Sequence, residues 1–362
     1  MSTEARGKGL VALLVNYNIY IMLAALIVAS TVLSEHFLTA QNIFNLLRQL
    51  APLALVSIGM LLVILTGGID LSVGSVAAIG GMMVAMAMPT LPFDGGFALI
   101  LCVLVGVLSG AILGAINGVL VAGFGMASFV ATLAMMTMAR GLAYMLSNGQ
   151  PVRFPRDLST AKILTAFGAK GVPGIGLPWP VVAALVIILG FILLLRRTSW
   201  GRLTVATGSN ETAVRLAGLP VARYKFLAYT ICGGLSALAG IMVTARTAVG
   251  TPVTGIGLEL DAIAACVIGG ALLSGGKGTV IQTMIGVLIL GLIGNIMNLM
   301  SVPAYPQQII KGVIIILAVL LQGVARAQRA GCRRDELACA HRRGPSVRSE
   351  NQPADAPAVR SC

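Results

Sequence analysis

Long apolar segments, separated by short polar ones, occupy most of this chain. Runs of about 18 or more apolar residues recur, and each is long enough to cross a lipid bilayer as a helix. A transmembrane barrel would show short alternating strands instead. The sequence therefore predicts an all-α, polytopic helical membrane protein with about ten transmembrane helices. The predicted spans lie near residues 18–35, 50–66, 71–88, 97–122, 126–146, 181–195, 226–245, 259–273, 279–299 and 307–324.

Composition agrees with this fold class, since 57% of the residues are hydrophobic, 10% are charged and the mean hydropathy is +0.95. The first apolar run lacks a small-residue cleavage site leading into a soluble domain, so we interpret it as a retained span. Residues 1–17 form a polar N-terminal segment and residues 18–324 the transmembrane domain. Residues 325–362 form a basic tail without apolar periodicity, which predicts disorder. Residues 35–48 are amphipathic and are expected to lie along the interface.

The net charge of +13 comes largely from basic residues outside the spans. Of 25 Lys and Arg, eight lie in residues 326–362 and six in the loop 196–225. Basic loops beside membrane spans stay in the cytoplasm. The distribution therefore predicts that both termini and the loop 196–225 are cytoplasmic, with the Pro-rich interval 147–180 outside. The tail is expected to be solvated rather than to bind nucleic acid.

A run of small residues follows the second predicted span and begins with Gly67 and Gly68, which permit a tight turn or a broken helix. Asp70 is expected to cap the helix that follows. The stretch Gly68-Ile69-Asp70-Leu71 returns as Gly-Leu-Glu-Leu at residues 257–260, with the same spacing to a later glycine pair. Two related halves would explain this match, since many transport folds contain repeats. A chance match between Gly-rich and Ala-rich segments is the alternative.

A few polar side chains near or inside the apolar segments are candidates for a transport path. The carboxylates lie near predicted helix starts, which favours capping over coupling to protons or sodium. The asparagines can bind a polar solute or hold helices together. Arg140, towards one end of the fifth predicted span, is expected to extend to the membrane interface. The candidates for a translocation path or gate are Asp70, Ser72, Asn117, Glu259, Asp261 and Asn295.

The residues predict no catalytic, cofactor or metal site. The chain has two histidines, and its six cysteines lack the spacing of a disulfide framework or a metal site. Residues 270–279 faintly resemble a phosphate-binding loop. However, Ala271 and Gly278 stand where that motif requires Gly and Ser or Thr.

The basic loop carries the start and stop patterns of a short helix at residues 208–218. Ser209 or Asn210 can cap its start, and Gly218 followed by Pro220 can end it. So short a helix is marginal in water, so we expect it to pack on the rest of this chain or on a partner. The candidate residues are Gly208, Ser209, Asn210, Glu211, Ala213, Arg215, Leu216, Ala217 and Gly218.

Several stretches resemble the permease subunits of ATP-binding-cassette importers for ribose and related monosaccharides. The resemblance covers about residues 20–324, in order, and does not extend into the tail. It is carried by Ile64-Leu65-Thr66-Gly67-Gly68-Ile69-Asp70-Leu71-Ser72-Val73-Gly74-Ser75 and by residues 131–133, 147–149, 198–202, 208–218, 259–265, 269–270 and 274–278.

The resemblance implies a homodimeric pore in a bacterial inner membrane. It also implies a cytoplasmic ATPase that powers transport and a periplasmic sugar-binding protein that delivers the substrate. Residues 208–218 would form the segment that couples the permease to the ATPase. Such a permease is not an enzyme, which agrees with the lack of a nucleotide motif.

Two other classes of protein stay open on the residues alone. A self-contained secondary carrier for a small polar solute would also be polytopic and helical, and an ion gradient would drive it without an ATPase. A membrane enzyme acting on lipid-linked sugars would need clustered catalytic residues at one interface, and the sequence shows no such cluster.

Overall fold

The computed structural model describes residues 18–303, 305–310, 312–314 and 316. These residues form a helical bundle with one short β-ribbon. The helices are α1 (Asn18–Leu33), α2 (Ala40–Leu65), α3 (Val73–Ala87), α4 (Gly96–Gly118), α5 (Ser128–Leu146), α6 (Ser159–Ala169), α7 (Trp179–Arg197), α8 (Ser199–Ser209), α9 (Glu211–Leu216), α10 (Val221–Thr247), α11 (Leu258–Ile268) and α12 (Val280–Leu299). Strands β1 (Val152–Arg153) and β2 (Val249–Gly250) pair antiparallel.

Seven of the described helices are long and apolar enough to cross a membrane, namely α2, α3, α4, α5, α7, α10 and α12. This confirms an all-α polytopic membrane protein. Helix α3 reaches that length because a 3-10 turn, Met88–Thr90, extends it to 18 residues, whereas α1 and α11 have 16 and 11 residues and fall short. The predicted tenth span lies largely outside the described residues, as do the segment 1–17 and the tail 325–362. The number of about ten spans therefore stays a prediction.

Three expectations about local structure are corrected. Residues 35–48 do not form a separate interfacial element, because α2 begins at Ala40 and continues through Pro52 into the bundle. The basic loop holds two helices, α8 and α9, rather than one. The eighth predicted span, near residues 259–273, is helical only as far as Ile268, the end of α11, and an irregular segment at residues 251–257 precedes this helix.

The core is built on α2, whose residues from Leu50 to Leu65 are all buried. Helix α10 packs against α2, α3 and α4. Gly110, Gly114 and Gly118 of α4 are buried along the face that meets α10, and a Cβ at Gly233 would collide with the carbonyl oxygen of Gly110. The four-residue glycine spacing thus brings two backbones into contact, as small residues do in membrane helices.

The two long polar intervals lie at opposite ends of the bundle. Helix α5 begins at Ser128, beside a cavity shared with Glu211 of α9, and its last residue precedes the interval 147–178. At that second end, the ribbon β1–β2 and helix α6 pack together with the loop between α3 and α4. This arrangement agrees with the predicted placement of the two intervals on opposite sides of the membrane.

Candidate functional site

Two irregular segments interrupt the bundle, and each leads into a helix. Residues 66–72 connect α2 to α3, and residues 251–257 precede α11. The second segment meets the first turn of α3, which directly follows the first segment, because a Cβ at Gly74 would collide with the carbonyl oxygen of Gly255 and with Oε2 of Glu259. The two similar stretches of sequence therefore adjoin in space.

The first irregular segment reaches into the bundle. A Cβ at Gly68 would collide with the hydroxyl of Tyr229, which is eight residues into α10. At 1.5 Å per residue, that position lies about 12 Å from the start of the helix. Irregular backbone at membrane depth is tolerated where protein covers it or where it lines a cavity, and it marks the substrate site in many transporters.

Asp70, Ser72 and Asn117 form one buried cluster beside the first irregular segment. Oδ1 of Asp70 accepts hydrogen bonds from the backbone N–H of Ser72 at 2.9 Å and from its hydroxyl at 2.6 Å. Nδ2 of Asn117 donates to the same hydroxyl at 3.0 Å. Helix α3 begins after Ser72, so Asp70 fixes the turn before the helix instead of capping its free N–H groups. The cluster joins the turn to α4.

Glu259 lies in the first turn of α11, and its Oε1 accepts a hydrogen bond from the N–H of Gly257 at 3.2 Å. Its neighbour across a cavity of about 350 Å³ is Arg140 of α5. Nη1 of Arg140 donates to the carbonyl oxygens of Pro252 and Thr254, the latter at 2.8 Å. Arg140 thus holds the second irregular segment, six residues before the end of α5, and its extension to the membrane interface stays a prediction.

Asp261 and Asn295 border a different cavity, of about 470 Å³, between α2, α10 and α12. Asn295 exchanges two side-chain hydrogen bonds with Asn42, at 3.1 and 2.8 Å, and so joins α12 to α2. The six predicted path residues therefore fall into three groups, and only Glu259 lies at the contact between the first turn of α3 and the second irregular segment.

The predicted coupling helix is shorter than residues 208–218, because Gly208 and Ser209 end α8. Oδ1 of Asn210 caps α9 by accepting from the N–H of Ala213 at 3.0 Å. Gly218 ends the segment with φ at +76°, a backbone conformation that suits glycine. The predicted start and stop residues are confirmed, with Asn210 rather than Ser209 as the cap.

Helix α9 packs on its own chain on one face only. Val214 is buried, whereas Leu216 is 84% exposed and Ala213 and Ala217 are also exposed. Nζ of Lys225 on α10 lies 2.7 Å from Oε2 of Glu211. This hydrogen bond holds the pKa of Glu211 below its usual range. A partially anchored helix thus presents an apolar side chain to solvent.

The end of α8, next to α9, contacts the end of α2 and the loop between α11 and α12 through backbone atoms. The N–H of Gly276 donates to the carbonyl oxygen of Leu65 at 3.1 Å. A Cβ at Gly208 would collide with the same oxygen. A cavity of about 360 Å³ separates Glu211 from Gly68 and is also bordered by Lys225.

Sequence reasoning missed the part played by Arg140 and Lys225. A positive charge inside an apolar span marks Arg140 as unusual, but its partners come from a segment more than 100 residues away. Lys225 carries no local pattern that distinguishes it from other basic residues of the loop. In the part of the chain that the structure describes, no cluster of His, Cys, Asp or Glu is arranged to hold a metal ion.

The sequence of this chain is similar to those of known permease proteins. Residues 42–319 match the family described as branched-chain amino acid transport system / permease component. The chain is 42% identical over 301 residues to the ribose import permease protein of Escherichia coli (strain K12), covering 83% of this chain and 91% of that protein. The corresponding protein of Bacillus subtilis (strain 168) is 42% identical over 305 residues, with coverage of 83% and 91%.

An L-arabinose ABC transporter permease protein of Azospirillum brasilense is 36% identical over 326 residues, covering 90% of this chain and 93% of that protein. No solved structure gave a significant match. The family match spans most of the chain, including both irregular segments and α9. The chain therefore belongs to this family of permease components of transport systems.

Proposed function

We propose that this chain is the membrane-spanning subunit of an ATP-driven importer for a monosaccharide of the ribose and arabinose class. The observation that carries the proposal is its similarity, over more than four-fifths of the chain, to ribose and L-arabinose permeases. The protein is a multi-pass permease of the bacterial inner membrane and not an enzyme. ATP hydrolysis is the work of a separate cytoplasmic subunit, and both termini of the permease face that compartment.

Helix α9 is the proposed docking site for the ATPase. Its exposed face offers Ala213, Leu216 and Ala217, which are small or apolar and suit a groove on a partner. Exposed leucine at the tip of a polar loop is stabilised when a partner covers it. The six-residue helix is too short to be stable alone, so docking also orders it.

Movement of α9 has two physical routes to the transport path. The Glu211–Lys225 ion pair attaches α9 to α10, which contacts the first irregular segment through Tyr229. The contact between Gly208 and Leu65 attaches the preceding helix to the end of α2. Closure of the ATPase would shift these helices as packed bodies and change which side of the membrane reaches the path.

The end of the bundle that carries α6 and the β1–β2 ribbon, which we place outside the cytoplasm, is the proposed docking site for a sugar-binding protein. A cleft of about 710 Å³ at this end is bordered by four exposed basic side chains. Complementary charge steers association and sets orientation. We therefore expect an acidic surface on the partner. The four residues are Arg153, Arg156, Lys162 and Lys170.

A second copy of this chain would complete the pore. Helices α4, α5 and α7 bury only 22%, 28% and 17% of their spanning windows within one chain. Their outward apolar faces therefore suit lipid or another copy. A dimer would also present two α9 helices to a pair of ATPase subunits.

The test of this proposal is a substitution in α9. We expect Ala213→Arg to leave membrane insertion intact, because Ala213 is exposed and the cap formed by Asn210 uses only its backbone N–H. The bulky side chain should block docking, so ATPase co-purification and sugar uptake should both be lost.

The matched control is Ala127→Arg, which places the same side chain on an exposed alanine in the loop between α4 and α5, at the same end of the bundle. Uptake should survive this change. If Ala213→Arg retained both ATPase binding and coupled uptake, α9 would have only a structural role.

A further inference from the structure

We propose that the cavity between α3, α5 and α11, bordered by Arg140, Glu259 and Ser75, binds hydroxyl groups of the sugar during its passage. The inference rests on the proposed function of sugar transport and identifies where this chain itself contacts the sugar. The cavity has a volume of about 350 Å³. Sites for small molecules begin at roughly 300 Å³, so the space is adequate for a single small solute.

The cavity lies beside the second half of α5. Arg140 is twelve residues into this helix, about 18 Å from its start, and six residues before its end. Glu259, the second residue of α11, lies next to the point where Gly74 meets Gly255, so the cavity opens beside the contact between the first turn of α3 and the second irregular segment. A change in the relative position of these two elements would alter access to it.

The two charged side chains border the cavity without pairing with each other. Both ion pairs of the described chain involve Glu211, so no ion pair joins Arg140 to Glu259. In the described structure, Arg140 makes its hydrogen bonds through Nη1 alone. Its remaining guanidinium N–H groups and the carboxylate oxygens of Glu259 are therefore held apart across a space that a polar solute can bridge.

Ser75 supplies an independent sign that a polar partner belongs here. Its side chain is 1% exposed and borders the cavity, and in the described structure its Oγ has no hydrogen-bond partner. A buried hydroxyl without a hydrogen-bond partner is unfavourable. A hydroxyl group of a bound solute would supply the missing hydrogen-bond partner.

The chemistry of the three groups fits a neutral sugar. A carboxylate only accepts hydrogen bonds, a guanidinium only donates them, and a serine hydroxyl does both. Sugar hydroxyls donate and accept, so one sugar can satisfy all three groups at once. The opposite charges of Arg140 and Glu259 balance, which disfavours an ionic solute.

The experiment uses the complete importer in proteoliposomes, with radiolabelled ribose and arabinose and their deoxy analogues. The variants are Glu259→Gln, Arg140→Gln and Ser75→Ala. Loss of a hydrogen bond to a charged group should lower uptake by about tenfold in the first two variants, and loss of a neutral one by about threefold in the third. ATP hydrolysis stimulated by the sugar-loaded binding protein should stay close to the wild-type rate.

Discrimination between a sugar and its deoxy analogue separates binding from a structural role. The wild type should transport the deoxy analogue more slowly, and Glu259→Gln should reduce that difference because a contact with one hydroxyl is lost. A role of Arg140 and Glu259 confined to holding residues 251–257 would leave the difference unchanged. Glu35→Gln, which removes an exposed carboxylate from the loop between α1 and α2, serves as the control for charge loss.

Effects of the substitutions on folding can also be distinguished from the loss of a sugar contact. Glu259→Gln retains an oxygen that can accept the hydrogen bond from the N–H of Gly257. Ser75→Ala removes a hydroxyl that has no hydrogen-bond partner in the described structure. If the wild type shows no ATP-dependent sugar uptake, the proposed function is wrong. If the wild type transports sugar but Ser75→Ala and Glu259→Gln keep both its rate and its discrimination, the cavity is not a sugar contact.

Discussion

Lys225 on membrane helix α10 and Glu211 on α9 are joined by an ion pair, with 2.7 Å between Nζ and Oε2. Arg215 binds the other oxygen of the same carboxylate at 2.8 Å, but its side chain is 72% exposed whereas that of Lys225 is 19% exposed. The shielded pair fastens α9 to the bundle, and the exposed pair lies along α9 itself. Lys225 and Arg215 bind the same carboxylate, but only the pair with Lys225 links α9 to a membrane helix.

We predict that Lys225→Met lowers sugar uptake several-fold while the amount of protein in the membrane is unchanged. The reason is that α9 would still dock the ATPase but would transmit its movement to α10 less well. Uptake and ATP hydrolysis measured together should show more ATP consumed per sugar. Arg215→Gln is the control, since exposed pairs of this kind contribute about 0–1 kcal/mol. Equal effects of the two substitutions would argue against the proposed route through α10.

We predict that Asp70→Asn is mild and that Asp70→Leu lowers the yield of folded protein. The amide oxygen of Asn can accept the hydrogen bonds from Ser72 that Oδ1 of Asp70 now accepts. Leucine would leave the buried N–H of Ser72 without this partner, a loss of about 1–3 kcal/mol. Thermal unfolding in detergent measures the difference. Loss of uptake in Asp70→Asn at a normal protein level would instead show that the carboxylate charge takes part in transport.

We predict that Gly114→Ala destabilises the protein by about 1–3 kcal/mol through overpacking. A Cβ at this position would collide with the carbonyl oxygen of Tyr229, so α4 and α10 would have to separate. Gly190→Ala is the matched control, because Gly190 also lies within a membrane helix and nothing lies within 4 Å of the added carbon. The melting temperature should fall for the first variant alone. Equal melting temperatures would show that the close approach of these helices adds no stability.

We predict that Asp94 holds helix α6 in place over a wide pH range. Its carboxylate accepts hydrogen bonds from the hydroxyl of Thr160 at 2.6 Å and from the N–H groups of Thr160 and Ser159 at 2.7 and 2.6 Å. These bonds hold the pKa of Asp94 well below its usual value of 3.8. Since the folded-state pKa is lowered, the stabilisation is complete above the usual value and is lost only as the pH falls through the lowered one.

Hydrogen exchange of α6 measures this effect. After correction for intrinsic rates, protection of α6 should be constant from pH 8 to pH 5, and Asp94→Ala should remove much of it. Asp157→Ala removes a nearby exposed carboxylate, and protection should persist. Loss of protection near pH 6 in the wild type would contradict the prediction that the Asp94 carboxylate holds α6 over a wide pH range.

The fold class and the positions of most spans follow from the sequence because membrane helices need long apolar runs. The start and end of α9 were also predictable, since Asn210 and Gly218 act through local backbone geometry. The apolar pattern could not show that α2 continues through Pro52, because a membrane helix tolerates proline where neighbouring groups compensate.

The candidate site was predictable only in part. Asp70 and Glu259 were found because both follow a glycine that interrupts an apolar run. Which of these two carboxylates borders a cavity depends on packing. Asp70 is enclosed by Ser72 and Asn117, whereas Glu259 faces Arg140 across a cavity. Contacts between residues more than 100 positions apart leave no mark in local periodicity.

The measurement that tests the central claim most directly is uptake of radiolabelled ribose and arabinose into proteoliposomes. This chain is reconstituted alone with a proton or sodium gradient, and separately with an ATP-binding-cassette ATPase, a sugar-binding protein and ATP. The account predicts no uptake in the first case and ATP-dependent uptake in the second. Uptake by the chain alone, driven by the ion gradient, would contradict it and would identify a self-contained carrier.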